Sequence, residues 1–306
     1  MRCSWPRRSR SHRRASNRQD GRVTDGIGES LLDAVSGAIR EVAARTIMPR
    51  FRSLTDAEVS FKGADEVVTT ADVEAEALLT ERLNVIRPGL SVLGEESSHF
   101  DPTLRERVQR SGTYWVVDPL DGTNEFVAGR TGFGVMVALV EDRAATASWI
   151  FLPTVDRLYD GSLGIPVRRN GRRLTPHRER QGLGVENAMG FALTRLAPPK
   201  VRAIVDEHIR RFPTPADEGS GSAATAYASL LEGQLDFGFY WRTEPWDHAP
   251  GSFLVGLMGG RCARLDGEPY TPGDDRTGML VTTMREDWAQ LLEALYPSNS
   301  RPSAAR

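Results

Sequence analysis

Four acid-bearing stretches hold the residues whose types and spacing could do chemistry. They are "TTAD" ending at Asp72, "GEES" with Glu95 and Glu96, "DPLDGT" with Asp118 and Asp121, and "EPWD" ending at Asp247. If several of these carboxylates meet, each pair at about 4 Å repels by roughly 4 kcal/mol at an effective dielectric near 20. That is a large part of a domain's whole stability, so a convergent set demands a cation. None of the four stretches contains Cys or His. Oxygen-only ligands favour a hard ion, Mg²⁺ or Mn²⁺, over zinc.

Each stretch taken alone also has a purely structural reading. Asp72 fits a helix N-cap, Asp247 fits the start of a helix in "WDHAPGSFLVGLM", and Asp118-Pro119 fits the opening of a turn. Turn chemistry explains "DPLDGT" less well, because it follows the strand-like "WVV" directly. Two acids at i and i+3 across a proline-fixed bend can face one ion, and Gly122 and Thr123 then offer backbone N–H groups to a bound anion.

The elements that must position these acids can be read from periodicity. From Ile27, the apolar residues Leu31, Leu32, Val35, Ile39, Val42 and Ile47 recur at helical spacing and Pro49 follows. This predicts a helix of about five turns with one face on a sheet. Residues 51–71 are mixed and loop-like, and "DVEAEALLTERLNVI" predicts a second helix with Asp72 at or near its N-cap. Strand character follows in "LSVLGEE" (90–96), "TYWVVD" (113–118), "FGVMVALVE" (133–141) and "ATASWIFLP" (145–153), a meander with short connections. Asn-Gly in "VRRNGRRL" (167–174) predicts an arginine-rich hairpin. The second half alternates: a strand at 185–192, helices near 199–211 and 222–233, a strand at 235–240, and helices at about 247–258 and 285–295. Such alternation is what layered α/β packing requires.

With 306 residues, 40% apolar and 26% charged, the chain has the composition of an ordinary globular protein with a sizeable core. A net charge of -2 gives no global field to gather nucleic acid or anionic membrane, so neither is expected as a partner. Only Cys3 and Cys262 are present, which speaks against a disulfide framework or a cysteine zinc site and fits a reducing, cytoplasmic setting. The longest apolar runs fall far short of the roughly 20 residues that span a bilayer. Residues 1–22 are arginine-rich with no apolar centre, and are read as a disordered basic extension rather than a secretory signal. The main domain is read over 23–296, with an N-terminal α+β half to about residue 180 and a C-terminal α/β half after it; 297–306 is read as a loose polar tail.

Taken together, the motifs resemble the inositol monophosphatase family of Mg²⁺-dependent, lithium-sensitive phosphomonoesterases over roughly residues 27–296. "WVVDPLDGTNEF" matches the first family motif and "EPWDHAPG" the second, with "VVTTAD" and "LGEES" in the expected order. The resemblance implies an α+β fold, a layered α-β-α-β-α sandwich of the sugar-phosphatase type with its metal site between the two sheet regions, and a homodimer. It implies that Glu95, Asp118 and the backbone carbonyl of Leu120 hold one Mg²⁺, with Mn²⁺ as an alternative ion. Asp118, Asp121 and Asp247 would hold a second, and Glu95 with Asp72 would support a weaker third through waters. Asp72 and Thr123 correspond to the pair that orients and deprotonates the attacking water. Gly122 and Thr123 would touch the phosphate, and Ser222 and Ala223 in "GSAATAYASLLEG" would face substrate hydroxyls.

Lys62, which with Lys200 makes up all the lysine in the chain, lies near where the family often places a lysine on a mobile loop by the metals. The register is off by about one residue, and a surface lysine is the competing reading. His248 is read as packing or surface, because neighbours on a helix face apart.

Family members hydrolyse inositol phosphates, fructose 1,6-bisphosphate, histidinol phosphate or adenosine 3',5'-bisphosphate on nearly the same metal core. Inositol-type members tend to carry an acid seven residues before the second-motif aspartate, where this chain has Tyr240, with Glu244 four residues later. The nucleotidase branch often has lysine after "DGT", where this chain has Asn124. The expected activity is Mg²⁺-dependent hydrolysis of a small phosphate monoester, an inositol monophosphate or a related sugar or polyol phosphate. The alternatives are a histidinol-phosphate phosphatase, a 3'(2'),5'-bisphosphate nucleotidase, or a non-catalytic metal- and phosphate-binding regulator of the same fold. Retention of Asp72 and Thr123 favours the enzyme.

Overall fold

The computed structural model describes residues 27–62, 66–109, 112–175, 184–213 and 221–301. The basic extension read over 1–22 and the last residues of the tail lie outside these. Residues 298–300 form a 3₁₀ turn, with Ser298 N–H donating to the Glu293 carboxylate and Arg301 Nε donating to the Tyr296 carbonyl at 2.8 Å.

Helix α1 (Glu29–Val42) buries Leu32, Val35, Ile39 and Val42 on one stripe. The helical run does reach Ile47, but not as one α-helix. A π turn carries Ala43–Ile47, and Pro49 enters a 3₁₀ turn, where its missing N–H costs nothing. The stretch expected to be loop contains a hairpin, β1 (Val59–Phe61) and β2 (Val67–Thr69). Helix α2 (Thr70–Ile86) follows at once. Its N-cap is Thr69, and Asp72 sits at the third helical position, where the two close a capping box. Asp72 is thus near the cap, as expected, and not the cap itself.

The larger sheet has seven strands in chain order: β3 (Ser91–Gly94), β4 (Thr113–Asp121), β5 (Gly134–Glu141), β6 (Ala144–Leu152), β7 (Arg157–Ser162), β8 (Ile165–Arg169) and β9 (Arg172–Arg173). All neighbours are antiparallel except β3 and β4. A parallel pair needs a crossover. The chain supplies it with α3 (Glu95–Phe100) and α4 (Thr103–Gln109). Glu95 and Glu96 therefore open a helix, where a strand through residue 96 was expected. The Asn170-Gly171 hairpin between β8 and β9 is present, both residues having positive φ.

The smaller sheet runs β10 (Gly190–Leu193), β11 (Phe237–Tyr240), β13 (Met279–Thr282), β12 (Arg261–Arg264). Of these, β12 and β13 were not anticipated, and the strand expected over 185–192 begins only at Gly190, after a 3₁₀ turn at Val185–Asn187. Helices α6 (Pro199–Ile209), α7 (Ala223–Leu231), α8 (Pro245–Leu257) and α9 (Trp288–Leu295) complete this half.

Alternation along the strands sorts the layers. Trp115 and Val117 of β4, Val137 of β5 and Trp149 of β6 face α1 and α2, packing with Val35, Ile39, Leu79 and Leu83. Met136 and Ile150, of opposite parity, join Tyr227 and Leu231 of α7, Leu254 of α8, and Tyr240 and Val281 of the smaller sheet. Phe237 and Phe239 point the other way, onto Val205 of α6 and Leu291 and Leu295 of α9. The order is thus helices, sheet, helices, sheet, helices: an α+β sandwich of five layers. Each fully buried Leu or Val in these seams contributes about 1.5–3 kcal/mol.

Candidate active site

The acids converge at the upper ends of the elements just described. Carboxylate oxygens of Glu95, at the start of α3, Asp118, in β4, and Asp247, in the first turn of α8, all lie within 4.8 Å of one another. Asp118 is 1% exposed. Its pKa is pushed well above the usual carboxylate range by burial and by the charges of Glu95, Asp121 and Asp247. Asp247 is raised in the same direction, by burial first and then by Asp121 and Glu95. Among the described residues, Lys62 Nζ reaches this group, 3.2 Å from Glu95 Oε1 and 2.5 Å from Glu96 Oε1. The Lys62 side chain is only 6% exposed, so the surface reading of this lysine is overturned.

Local irregularity in β4 aims the acids. Asp118 pairs with Met136 and Asp121 with Gly134, so three steps on β4 face two on β5, a bulge around Pro119 and Leu120. Gly122 then turns the chain with φ 86 and ψ 38 into α5 (Thr123–Val127). A Cβ there would stand 2.7 Å from Ser222 Cβ and 2.8 Å from the Gly132 carbonyl, so glycine is required by both dihedral and space.

Thr123 Oγ1 lies 2.9 Å from Asp72 Oδ1 and 3.1 Å from the Leu120 carbonyl. The other oxygen of Asp72 is held by the hydroxyl and N–H of Thr69. Burial raises Asp72 to about 6, against the opposing pull of the Thr69 and Thr123 hydrogen bonds. Asp72 and Thr123 are therefore brought together, beside the three-acid group. Asp121 is outside that 4.8 Å group but its charge acts on Asp118 and Asp247; its Oδ2 accepts the Ala224 N–H at 2.5 Å, at the start of α7, and Ser222 and Ala223 bond it as well. Burial nevertheless raises it to about 6. Ser222 is the α7 N-cap, accepting from Thr225 N–H.

Asp121, Ser222, Ala223, Tyr240 and Asp247 line a cleft of about 1490 Å³. His248 does not join the acids. Burial pushes it down to about 3. Its Nε2 lies 3.1 Å from the Arg242 carbonyl and its Nδ1 3.0 Å from Tyr227 Oη, so it is a neutral packing residue. Sequence reasoning missed Glu76, which is buried behind α3. Its spacing of four from Asp72, which puts two side chains on one helix face, is its one signal.

The donor set fits a hard divalent cation. It is all oxygen, largely desolvated and mutually repelling, and Glu96 Oε2 beside it has no hydrogen-bond partner.

The five-layered α+β scaffold, its acid cluster and the chain's phosphatase homologues together support a phosphomonoesterase. The chain belongs to the inositol monophosphatase family, whose model matches residues 29–298. It is 29% identical over 236 residues to the inositol-1-monophosphatase of Bacillus subtilis, covering 76% of this chain and 84% of that protein. It is equally, 29%, identical over 235 residues to the Nus factor SuhB of Escherichia coli, covering 75% and 83%. The fold is similar to that of inositol monophosphatase-II from Staphylococcus aureus, with a TM-score of 0.70 at 23% identity, over 88% of this chain and 94% of that one. SaIMPase-II with inositol monophosphate bound is alike at a TM-score of 0.69 and 24% identity. Among the described residues no helix is long and apolar enough to cross a membrane.

Proposed function

We propose that this chain hydrolyses a small phosphate monoester, an inositol monophosphate or a related polyol or sugar phosphate, with Mg²⁺ as its cofactor. The observation that carries this is the Asp72–Thr123 contact standing directly beside the converged carboxylates of Glu95, Asp118 and Asp247. Glu95, Asp118 and the Leu120 carbonyl would hold one ion and Asp118, Asp121 and Asp247 another, with Mn²⁺ able to substitute. Bound there, a divalent ion supplies positive charge to the phosphoryl oxygens and acidifies water at neutral pH.

The chain's own residues do the rest. Asp72, with one oxygen fixed by Thr69, keeps the other beside the Thr123 hydroxyl, so the two together can orient a water and take its proton at Asp72 Oδ1. Gly122 and Thr123, at the start of α5, offer N–H groups to the phosphate. Ser222 and Ala223 line the cleft where substrate hydroxyls would lie. The two-cysteine composition supports a cytoplasmic setting, and family membership supports a homodimer.

A second reading is favoured by one finding, the likeness to a protein named a Nus factor: a binding protein of the same fold that acts without turnover. The test is phosphate release by purified protein over inositol 1-phosphate, histidinol phosphate, fructose 1,6-bisphosphate and adenosine 3',5'-bisphosphate, with and without Mg²⁺ and Li⁺. Mg²⁺-dependent release that Li⁺ suppresses is expected, strongest on the inositol compound. Metal binding with no release from any of the four would shift the assignment to the binding protein.

A further inference from the structure

Behind the site stands a buried acid that is not among its proposed ligands. Glu76 lies one turn after Asp72 on α2 and is 6% exposed. Its Oε2 accepts the backbone N–H of Glu96 at 2.7 Å and its Oε1 accepts that of Ser97 at 2.8 Å. These are the second and third residues of α3, whose N-cap, Gly94, has no side chain to accept them. A Cβ on Gly94 would come 2.2 Å from the Glu76 carboxyl carbon, so the glycine leaves room for the acid.

We propose that Glu76 is a positioning residue: by gripping the start of α3 it fixes the Glu95 carboxylate against Asp118 and Asp247, and so sets the cation affinity of the site. The proposal rests on the reading of that site as a cation centre. A serine at position 94, the cap, could satisfy one of these N–H groups locally. A carboxylate reaching across from α2 does something a local cap cannot. It ties the helix bearing Glu95 to the helix bearing Asp72, so that the cation ligand and the water-orienting acid keep one relative position. Partners that orient a ligand from behind commonly change metal affinity ten- to a hundredfold when removed.

The test is Mg²⁺ binding by titration calorimetry on wild type, Glu76→Gln and Glu76→Asp, with the metal-free melting temperature and kcat at saturating Mg²⁺ recorded alongside. Glu76→Gln is expected to bind Mg²⁺ about tenfold more weakly, with the loss of kcat at saturating Mg²⁺ smaller than the loss of affinity. Glu76→Asp keeps the charge with a shorter reach, and its affinity should fall in between. Affinity within about twofold of wild type in the folded variants, whatever their melting temperatures, would overturn the proposal and leave Glu76 a helix cap. Should Glu76→Gln not fold, Glu76→Asp decides by the same threshold. No Mg²⁺ binding by wild type itself would overturn the cation reading and this proposal with it, whereas binding by wild type that is lost in Asp118→Asn isolates the role of Glu76.

Discussion

The charge of Asp72 helps to raise the pKa of Asp118, so the two are neighbours, and their amides should separate two roles. Asp118→Asn removes a charge from the centre of the acid group and is expected to abolish Mg²⁺-dependent turnover. Asp72→Asn should still bind Mg²⁺ in calorimetry while losing about 10²–10⁴-fold in kcat, the usual worth of a positioned base. Full activity in Asp72→Asn would remove the mechanism. The same acids give the metal-free protein a pH signature. Asp72 and Asp121 are raised by burial to about 6, while an unfolded aspartate titrates near 4. A raised folded value means the native chain keeps its protons longer. The stability it contributes is present below about pH 4 and is lost as pH climbs toward about 6. In EDTA the melting temperature should therefore decline across that window, and saturating Mg²⁺ should restore the loss; a flat profile in EDTA would contradict the burial of these two acids. At this scale much was legible. The four motifs name Glu95, Asp118 and Asp247, which do meet. Lys62 was legible only as one of two readings, because whether a lysine is solvated or buried on two glutamates depends on a hairpin that mixed composition hides.

The elements place those residues by small departures from regularity. The β4 bulge and the left-handed Gly122 turn Asp118, Asp121 and Thr123 toward one region. Gly122→Ala would force a Cβ against Ser222 and the Gly132 carbonyl, and it is expected to cost about 1–3 kcal/mol in urea denaturation and to lower kcat with it. Unchanged kcat would argue that the turn does not position Thr123. Helices with one apolar stripe, such as α1, were readable from spacing alone. Two of the strands that escaped notice, β7 and β12, break the apolar pattern for physical reasons. In β7, "RLYDGS" carries Asp160, which is buried only because Arg168 pairs with it, and Gly161, which leaves room for Leu257. In β12, "RCAR" ends in Arg264, also buried, on Asp274 and Thr243. Arg168 lies eight residues after Asp160 and Asp274 ten after Arg264, beyond the strand itself, so the apolar pattern of each strand alone could not reveal the pairing.

Across the molecule, polar ties of this kind join the layers. Arg168 donates Nε to Asp160 Oδ1 at 2.7 Å and Nη2 to Asp33 Oδ1 at 2.8 Å, and Ser36 on α1 donates to Asp160 Oδ2 at 3.1 Å. Arg168→Ala would leave Asp160, 2% exposed, without its counter-charge. A loss of about 3–5 kcal/mol in urea denaturation is expected, with Mg²⁺ affinity unchanged because the pair lies away from the acid cluster. The five-layer order itself was readable only through resemblance, since periodicity tells which face of an element is apolar and not what covers it. That order has a consequence in time. Asp247 comes from α8, which packs between the sheets against β5 and β6. Synthesis delivers Asp72, Glu95 and Asp118 long before it. A growing chain therefore carries an unclosed cluster of like charges until α8 emerges and docks. A divalent ion bound there would neutralise that cluster once α8 has docked, while β12 and β13 of the smaller sheet and α9 are still to follow, and a polypeptide halted before Pro245 would lack that closure.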